Sequence, residues 1–109
     1  MSIEGILGEI RIVAADEIPD YWLPCDGRTI RIRDNPALFS LLGTMYGGDG
    51  MNTYTLPDLR ARIPIGWSEH HQQGDRAAAA STRGTAGEQP FLALNFCICA
   101  DAGYFPPRQ

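Results

Sequence analysis

Side chains that could act in catalysis are few in this chain, and their spacing matches no established catalytic motif. Cys25 and His70 could form a nucleophile and base, but nothing in the sequence brings them together. Asp26 and Asp58 could form a carboxylate pair, yet each stands in a turn context, where aspartate commonly braces a loop. No nucleophile elbow, zinc-protease, P-loop or dinucleotide motif occurs. The sequence therefore predicts a protein that is not an enzyme.

Metal and cofactor sites are equally poorly supported. His70 and His71 are adjacent, so their side chains need not converge on one ion, and a solvated loop is favoured. The run Gly47–Gly50 lacks the lysine of a P-loop and the terminal glutamate of a calcium loop, which favours a plain turn. We therefore expect no metal and no cofactor.

The three cysteines cannot all pair within one chain. Cys97 and Cys99 would lie on the same face of a strand and are poor partners for each other. Buried free thiols are favoured, with a bridge from Cys25 to one of the other two as the alternative. A C-x-C pair with one distant cysteine is weak support for zinc.

The charge balance and hydropathy exclude several classes of partner. The net charge of −4 gives no basic surface for nucleic acid, so none is expected as a partner. No run of 18 apolar residues occurs, so no membrane span is predicted, and the start of the chain lacks the features of a signal peptide. All nine basic residues are arginine, which suits protein contacts, although compositional bias is the simpler explanation.

The predicted elements belong to one α+β domain that is mainly β and irregular. The 12 glycines and 8 prolines favour a turn-rich fold over a helical bundle. Hydrophobic spacing and capping signals predict one short helix at about Asn35–Leu42. Alternation predicts strands over Ile3–Val13 and Thr29–Arg33, and the Asp26-Gly27 dipeptide is typical of a hairpin turn.

The stretch Leu56–Gly66, LPDLRARIPIG, is predicted to be a rigid and partly buried connector. Its two prolines fix their own φ angles and push the preceding residues toward extended backbone. We expect an Asp58–arginine brace here rather than a reactive group. The residues expected to hold this loop and the neighbouring turn in shape are Asp26, Gly27, Pro57, Asp58, Arg60, Arg62 and Pro64.

The C-terminal run Phe91–Ala100, FLALNFCICA, carries no charge and predicts a strand buried on both faces. Left at an open sheet edge, such a strand would invite aggregation. It must therefore be covered by this chain's own sheet or by a neighbour. Before it lies a polar surface excursion over residues 67–89.

Several segments in matching order resemble the phage tail collar domain family, whose bacterial relatives include the microcystin-dependent proteins. The segments are Gly8-Glu9-Ile10, Trp22, Cys25-Asp26-Gly27, Leu38–Gly43, Tyr46-Gly47-Gly48, Leu56–Arg60, Pro64-Ile65-Gly66 and Pro90–Phe96. The resemblance implies a single collar-like domain, with residues 1–66 as the collar core, 67–89 as the excursion and 90–109 as the final strand and tail. Longer relatives carry a histidine-containing insert after the Ile-Gly pair. The insert is missing here, so its functions are not carried over.

The resemblance implies a non-enzymatic structural subunit of a tail fibre or extracellular filament that assembles with copies of itself. Strand-mediated contacts are expected to build the polymer. A closed homotrimer that binds a cell-surface glycan or protein is the alternative. The residues expected at subunit contacts are apolar or aromatic: Ile6, Ile10, Trp22, Trp67, Phe91, Leu92, Leu94, Phe96, Tyr104 and Phe105. The expected location is a virion tail or extracellular filament, with no conventional export signal.

Overall fold

The computed structural model of the chain describes residues 4–76 and 90–101. Within these ranges it contains short strands and one short helix, as the α+β prediction required. The elements are β1 (Ile10–Val13), β2 (Trp22–Pro24), β3 (Thr29–Arg31), α1 (Pro36–Leu42), β4 (Thr53–Thr55) and β5 (Asn95–Cys99).

A three-stranded antiparallel sheet joins the two ends of the described chain, in the order β1-β5-β2. Ile10 pairs with Ile98 on one side of β5, and Leu23 pairs with the same residue on the other. The central strand is covered on both faces. Ile98 packs into the larger core cluster, whereas Cys97 and Cys99 pack with Trp22 in a second cluster.

The larger core lies between this sheet, the helix and a two-stranded sheet formed by β3 and β4. Tyr54 and Leu38 are fully buried in it, and the rings of Tyr54 and Phe39 lie 5.3 Å apart between centroids. The Tyr54 hydroxyl donates to the backbone oxygen of Asn35 at 2.9 Å. The Asn35 side chain in turn donates to the backbone oxygen of Ala100 at 3.2 Å, which ties the helix start to the end of β5.

The predicted elements are present, with narrower bounds. The helix begins at Pro36 after Asn35, whose side chain makes no capping hydrogen bond because it reaches Ala100 instead. The C-terminal strand begins at Asn95 rather than Phe91, and Phe91 and Leu92 are exposed. The hairpin predicted at Asp26-Gly27 is wrong: β2 pairs with β5 and β3 pairs with β4, because the Asp26-Gly27 turn packs against the segment at Asp58 and does not join two paired strands.

Gly48 marks the tightest backbone approach among the described glycines. Its φ of +97° is in a region that L-residues with a side chain rarely adopt. A Cβ at this position would lie 2.4 Å from the Cα of Tyr54 and 2.8 Å from the backbone oxygen of Thr53. Glycine is therefore required where the loop after the helix crosses β4.

Candidate assembly surface

The first half of the connector Leu56–Gly66 is anchored against the turn that follows β2. Leu56 and Pro57 are buried. The Leu56 amide donates to the backbone oxygen of Arg28 at 3.0 Å, and the Leu59 amide donates to that of Cys25 at 2.9 Å. Asp26 and Asp58 form an antiparallel bridge between the two segments. The two turns are thus held as one unit by their backbones.

Each aspartate of this bridge accepts a forked contact from the arginine two residues later. Arg60 donates to the Asp58 carboxylate from Nε at 2.9 Å and from a terminal nitrogen at 2.8 Å. Arg28 makes the same pair of bonds to Asp26, both at 3.0 Å. Two parallel hydrogen bonds of this kind fix the orientation of the carboxylate and favour its ionised form.

Arg62 adds a second cation to Asp58, at 3.4 Å from its carboxylate, and donates to its backbone oxygen at 2.9 Å. The hydrogen bonds from Arg60 are the main reason that the pKa of Asp58 lies well below its usual range. The hydrogen bond from Arg28 likewise lowers the pKa of Asp26. Both carboxyls therefore stay ionised, and their oxygens already accept hydrogen bonds from arginine. This makes them poor candidates for a general acid or base.

Gly27 lies between these two turns, with a φ of +74°. A Cβ there would meet the Asp58 side chain at 3.0 Å. The Asp26-Gly27 pair, which predicted a hairpin, instead allows the connector at Asp58 to lie close to the turn after β2. Pro64 lies beyond the braced part and is exposed.

The second half of the connector turns outward and presents apolar side chains to solvent. Ile63 is 84% exposed, and Ile65 and Trp67 are also largely exposed. The segment before β5 has the same character, since Leu92 is 80% exposed and Phe91 lies open beside it. Large uncovered apolar side chains of this kind are typical of sites that another molecule covers.

The sheet has an uncovered edge at β1 within the described part of the chain, because β1 pairs there with β5 alone. The Cys99 amide donates to the Glu9 oxygen at 2.9 Å, which places Glu9 and Arg11 toward β5. In an antiparallel ladder the alternate residues Ile10 and Ile12 then direct their backbone groups outward. Their side chains are also exposed, Ile12 by 59%. This edge can accept a further strand.

Trp22, expected above at a subunit contact, instead lies in the core of the chain and is 4% exposed. The Arg11 guanidinium carbon lies 5.1 Å from the centre of its ring. Glu9 holds the same guanidinium through a 2.6 Å contact to Nε. The stack fixes Arg11 above the second core cluster, so Trp22 stabilises the sheet from inside.

The cysteines are free thiols, and all three are buried. Burial raises the pKa of Cys25 to about 12 and also raises the pKa values of Cys97 and Cys99. A thiol of raised pKa is a weak nucleophile and a weak metal ligand at neutral pH. No group of three or more potential metal ligands occurs within residues 4–76 and 90–101.

The remaining predicted contact residues fall into three positions. Ile6 and Leu94 are exposed, and Phe96 packs against the larger core. His70 and His71 lie on the exposed loop after the connector, where His71 Nδ1 is 2.8 Å from the backbone oxygen of His70. Tyr104, Phe105 and most of the polar excursion lie outside the described residues.

In the described part of the chain, no helix has the length and hydropathy needed to cross a membrane.

Comparison with known proteins places these features in one family. The model of the phage tail collar domain matches residues 8–64, which include β1 to β4, the helix and the braced first half of the connector. The chain is also similar to the short tail fiber protein gp12 of Enterobacteria phage T4, with 44% identity over 55 residues. That match covers 50% of this chain and 10% of the relative. No solved structure matches the chain at a significant level.

Proposed function

The chain belongs to the phage tail collar domain family, and we propose that it is a non-enzymatic structural subunit of a phage-tail-derived fibre or extracellular filament. In this proposal the chain binds copies of itself and polymerises through strand-mediated contacts. The premise is the family match over residues 8–64 together with the similarity to a short tail fiber protein. The proposed location follows, as a virion tail or an extracellular filament.

The observation that carries the proposal is the open edge of β1. Ile10 and Ile12 leave backbone donors and acceptors without partners in the described part of the sheet, next to exposed apolar side chains. A strand from a second subunit would satisfy those groups and bury both isoleucines. A contact between two different surfaces propagates unless its rotation closes a ring.

The braced turns supply the fixed geometry that such a polymer needs. Asp58 receives bonds from two arginines, and its backbone is pinned to the turn at Asp26. This unit holds the start of the connector while its apolar second half, Ile63 to Trp67, projects outward. We assign to it the role of positioning contact surfaces, and no chemistry.

A matched pair of substitutions tests the role of the strand edge. Ile12→Lys places a charge on the free edge of β1, and lysine at an edge strand opposes pairing. Ile63→Lys makes the same chemical change at an exposed isoleucine outside any strand. Size-exclusion chromatography with light scattering should show that Ile12→Lys abolishes assembly, whereas Ile63→Lys weakens it at most. Assembly lost only in Ile63→Lys would instead assign the contact to the connector and reject the strand edge.

A closed homotrimer that recognises a cell-surface glycan or protein is the second candidate. The exposed rings of Tyr21 and Trp67 favour it, since aromatic faces commonly stack on sugars and on partner side chains. A glycan array probed with the assembled protein tests this function. Binding that is lost in Trp67→Ala would support it, and an array without hits would count against it.

A further inference from the structure

One open cleft lies away from the strand edge and the braced connector, between the end of β3 and the loop that leads into β4. It has a volume of about 380 Å³ and is lined by Arg31, Ile32, Arg33, Met51, Asn52 and Thr53. This volume is at the lower end of the roughly 300–1,000 Å³ that small-molecule sites occupy. None of the lining residues belongs to β1 or β5.

The two arginines of this cleft differ from the other arginines of the described chain. Arg11, Arg28, Arg60 and Arg62 are paired with carboxylates, and Arg76 donates to a backbone oxygen. Arg31 and Arg33 have neither an acidic partner nor a side-chain hydrogen bond within residues 4–76 and 90–101. Two guanidinium groups, from residues two positions apart in the sequence, therefore line one cleft. Their N–H donors make no hydrogen bond to the described part of the chain.

The nearby acidic residues do not neutralise this pair. Asp34 follows Arg33 directly but does not line the cleft. The Asp49 carboxylate accepts three backbone amides of its own loop, from residues 51, 52 and 53, each at 2.9 Å. Those bonds hold the loop that carries Met51 and Asn52, so that wall of the cleft has a fixed shape.

The lining matches a ligand with an anionic group on a hydroxylated, partly apolar body. Arginine forks bind phosphate and carboxylate through paired hydrogen bonds. The Asn52 amide can donate to and accept from hydroxyl groups, while Ile32 and Met51, which is 82% exposed, offer apolar contact. A sugar ring that carries an acidic substituent has all three of these properties.

We propose that this cleft binds a small acidic saccharide, with Arg31 and Arg33 on its phosphate or carboxylate and Asn52 on its hydroxyl groups. The ligand class follows from the cleft alone. The proposal is independent of how, or whether, the chain polymerises.

Saturation-transfer difference NMR of the protein as purified tests it, because the method observes the ligand and tolerates large assemblies. The probes are glucose 6-phosphate, glucuronic acid and glucose. We expect signals from the ring protons of at least one acidic sugar and none from glucose. A response to glucose 6-phosphate alone would assign a phosphate ligand, and a response to glucuronic acid alone a carboxylate ligand.

The double substitution Arg31→Gln and Arg33→Gln should weaken this binding at least about tenfold, as expected for the loss of charged hydrogen bonds. The control is Arg76→Gln, which removes the same charged group from an exposed arginine outside both the cleft and the braced turns. Thermal melting of each variant confirms that it is folded. The control should retain the signals.

Four outcomes would overturn the proposal. They are the absence of signal from both acidic sugars, an equal signal from glucose, and a signal that survives in the Arg31 and Arg33 double variant. The fourth is displacement by inorganic phosphate at the concentration of the sugar itself, which would identify an adventitious ion only.

Discussion

Replacing Gly48 by alanine should destabilise the fold more than alanine at any other position with a comparable backbone. Two effects add at this site. The φ of +97° is strained for an L-residue, at a cost of about 1–2 kcal/mol. The new methyl group would also lie 2.4 Å from the Cα of Tyr54. This atom belongs to the backbone of β4 and cannot move away by a side-chain rotation.

Overpacking of this kind costs about 1–3 kcal/mol. The sum is a loss of roughly 2–5 kcal/mol in the free energy of unfolding for Gly48→Ala. For a domain near this size, 1 kcal/mol lowers the melting temperature by about 4 °C or more, so a drop of at least about 8 °C is expected.

Two other glycines separate the two effects. Gly43 has a φ of +54° with no atom within 4 Å of an added Cβ, so alanine there tests the backbone strain alone. Gly66 has neither a positive φ nor a neighbour within 4 Å. Alanine at Gly66 should be neutral or slightly stabilising, because it restricts the unfolded chain.

The assay is thermal unfolding followed by circular dichroism, at one fixed protein concentration because assembly makes the melting temperature concentration-dependent. The expected order of stability is Gly66→Ala, then Gly43→Ala, then Gly48→Ala. If Gly48→Ala melted together with Gly43→Ala, the close crossing of the loop over β4 would be refuted.

Three further perturbations follow from the same contacts. The pKa of Asp49 is lowered from 3.8 to about 2 by backbone amides, so its stabilising contribution is present above about pH 4 and is lost as the pH falls through 2. Asp49→Asn should therefore lower the urea midpoint at neutral pH but not near pH 2, and a deficit of equal size at both pH values would contradict this assignment. Tyr54→Phe removes the 2.9 Å hydrogen bond to Asn35 and should cost about 1–2 kcal/mol by urea titration. Tyr21→Phe, at an exposed tyrosine, should change the urea midpoint little, and equal losses from the two changes would show that the Tyr54 bond is not the cause. The three buried thiols should resist a thiol-specific chromogenic reagent near pH 8 in the native protein and all react in denaturant, because burial raises their pKa values. Rapid native labelling would show that the sheet opens.

Local patterns predicted the elements well where one physical signal dominated. The Asn-Pro start and the spacing of leucines placed the helix within one residue of its observed start, and the uncharged run Phe91–Ala100 predicted the doubly covered strand that is observed over Asn95–Cys99. The prolines and paired charges around Asp58 predicted a connector of fixed shape. These signals are local, so the sequence alone contains them.

Non-local pairing was the part that sequence patterns could not supply. Asp26-Gly27 has hairpin chemistry, yet its flanking strands pair with β5 and β4, which lie far along the chain. The start of the final strand was also predicted too early, since hydropathy does not distinguish Phe91 and Leu92, exposed here, from the buried residues that follow.

The open edge at Ile12 and the absence of partners for Arg31 and Arg33 within the described chain were also missed. Ile12 could have been found from its alternation with Ile10. The two arginines gave no sign in the sequence, because their distinction is the absence of partners within the described chain. That absence appears only when the pairings of the other arginines are placed in space.

Negative-stain electron microscopy of the purified wild-type protein, over a series of concentrations, tests the central claim most directly. Self-assembly through an open strand edge predicts long and uniform fibres whose length grows with concentration. Discrete particles of one size would instead support the closed, receptor-binding oligomer. Monomers alone at every concentration would contradict the account of this chain as a self-assembling subunit.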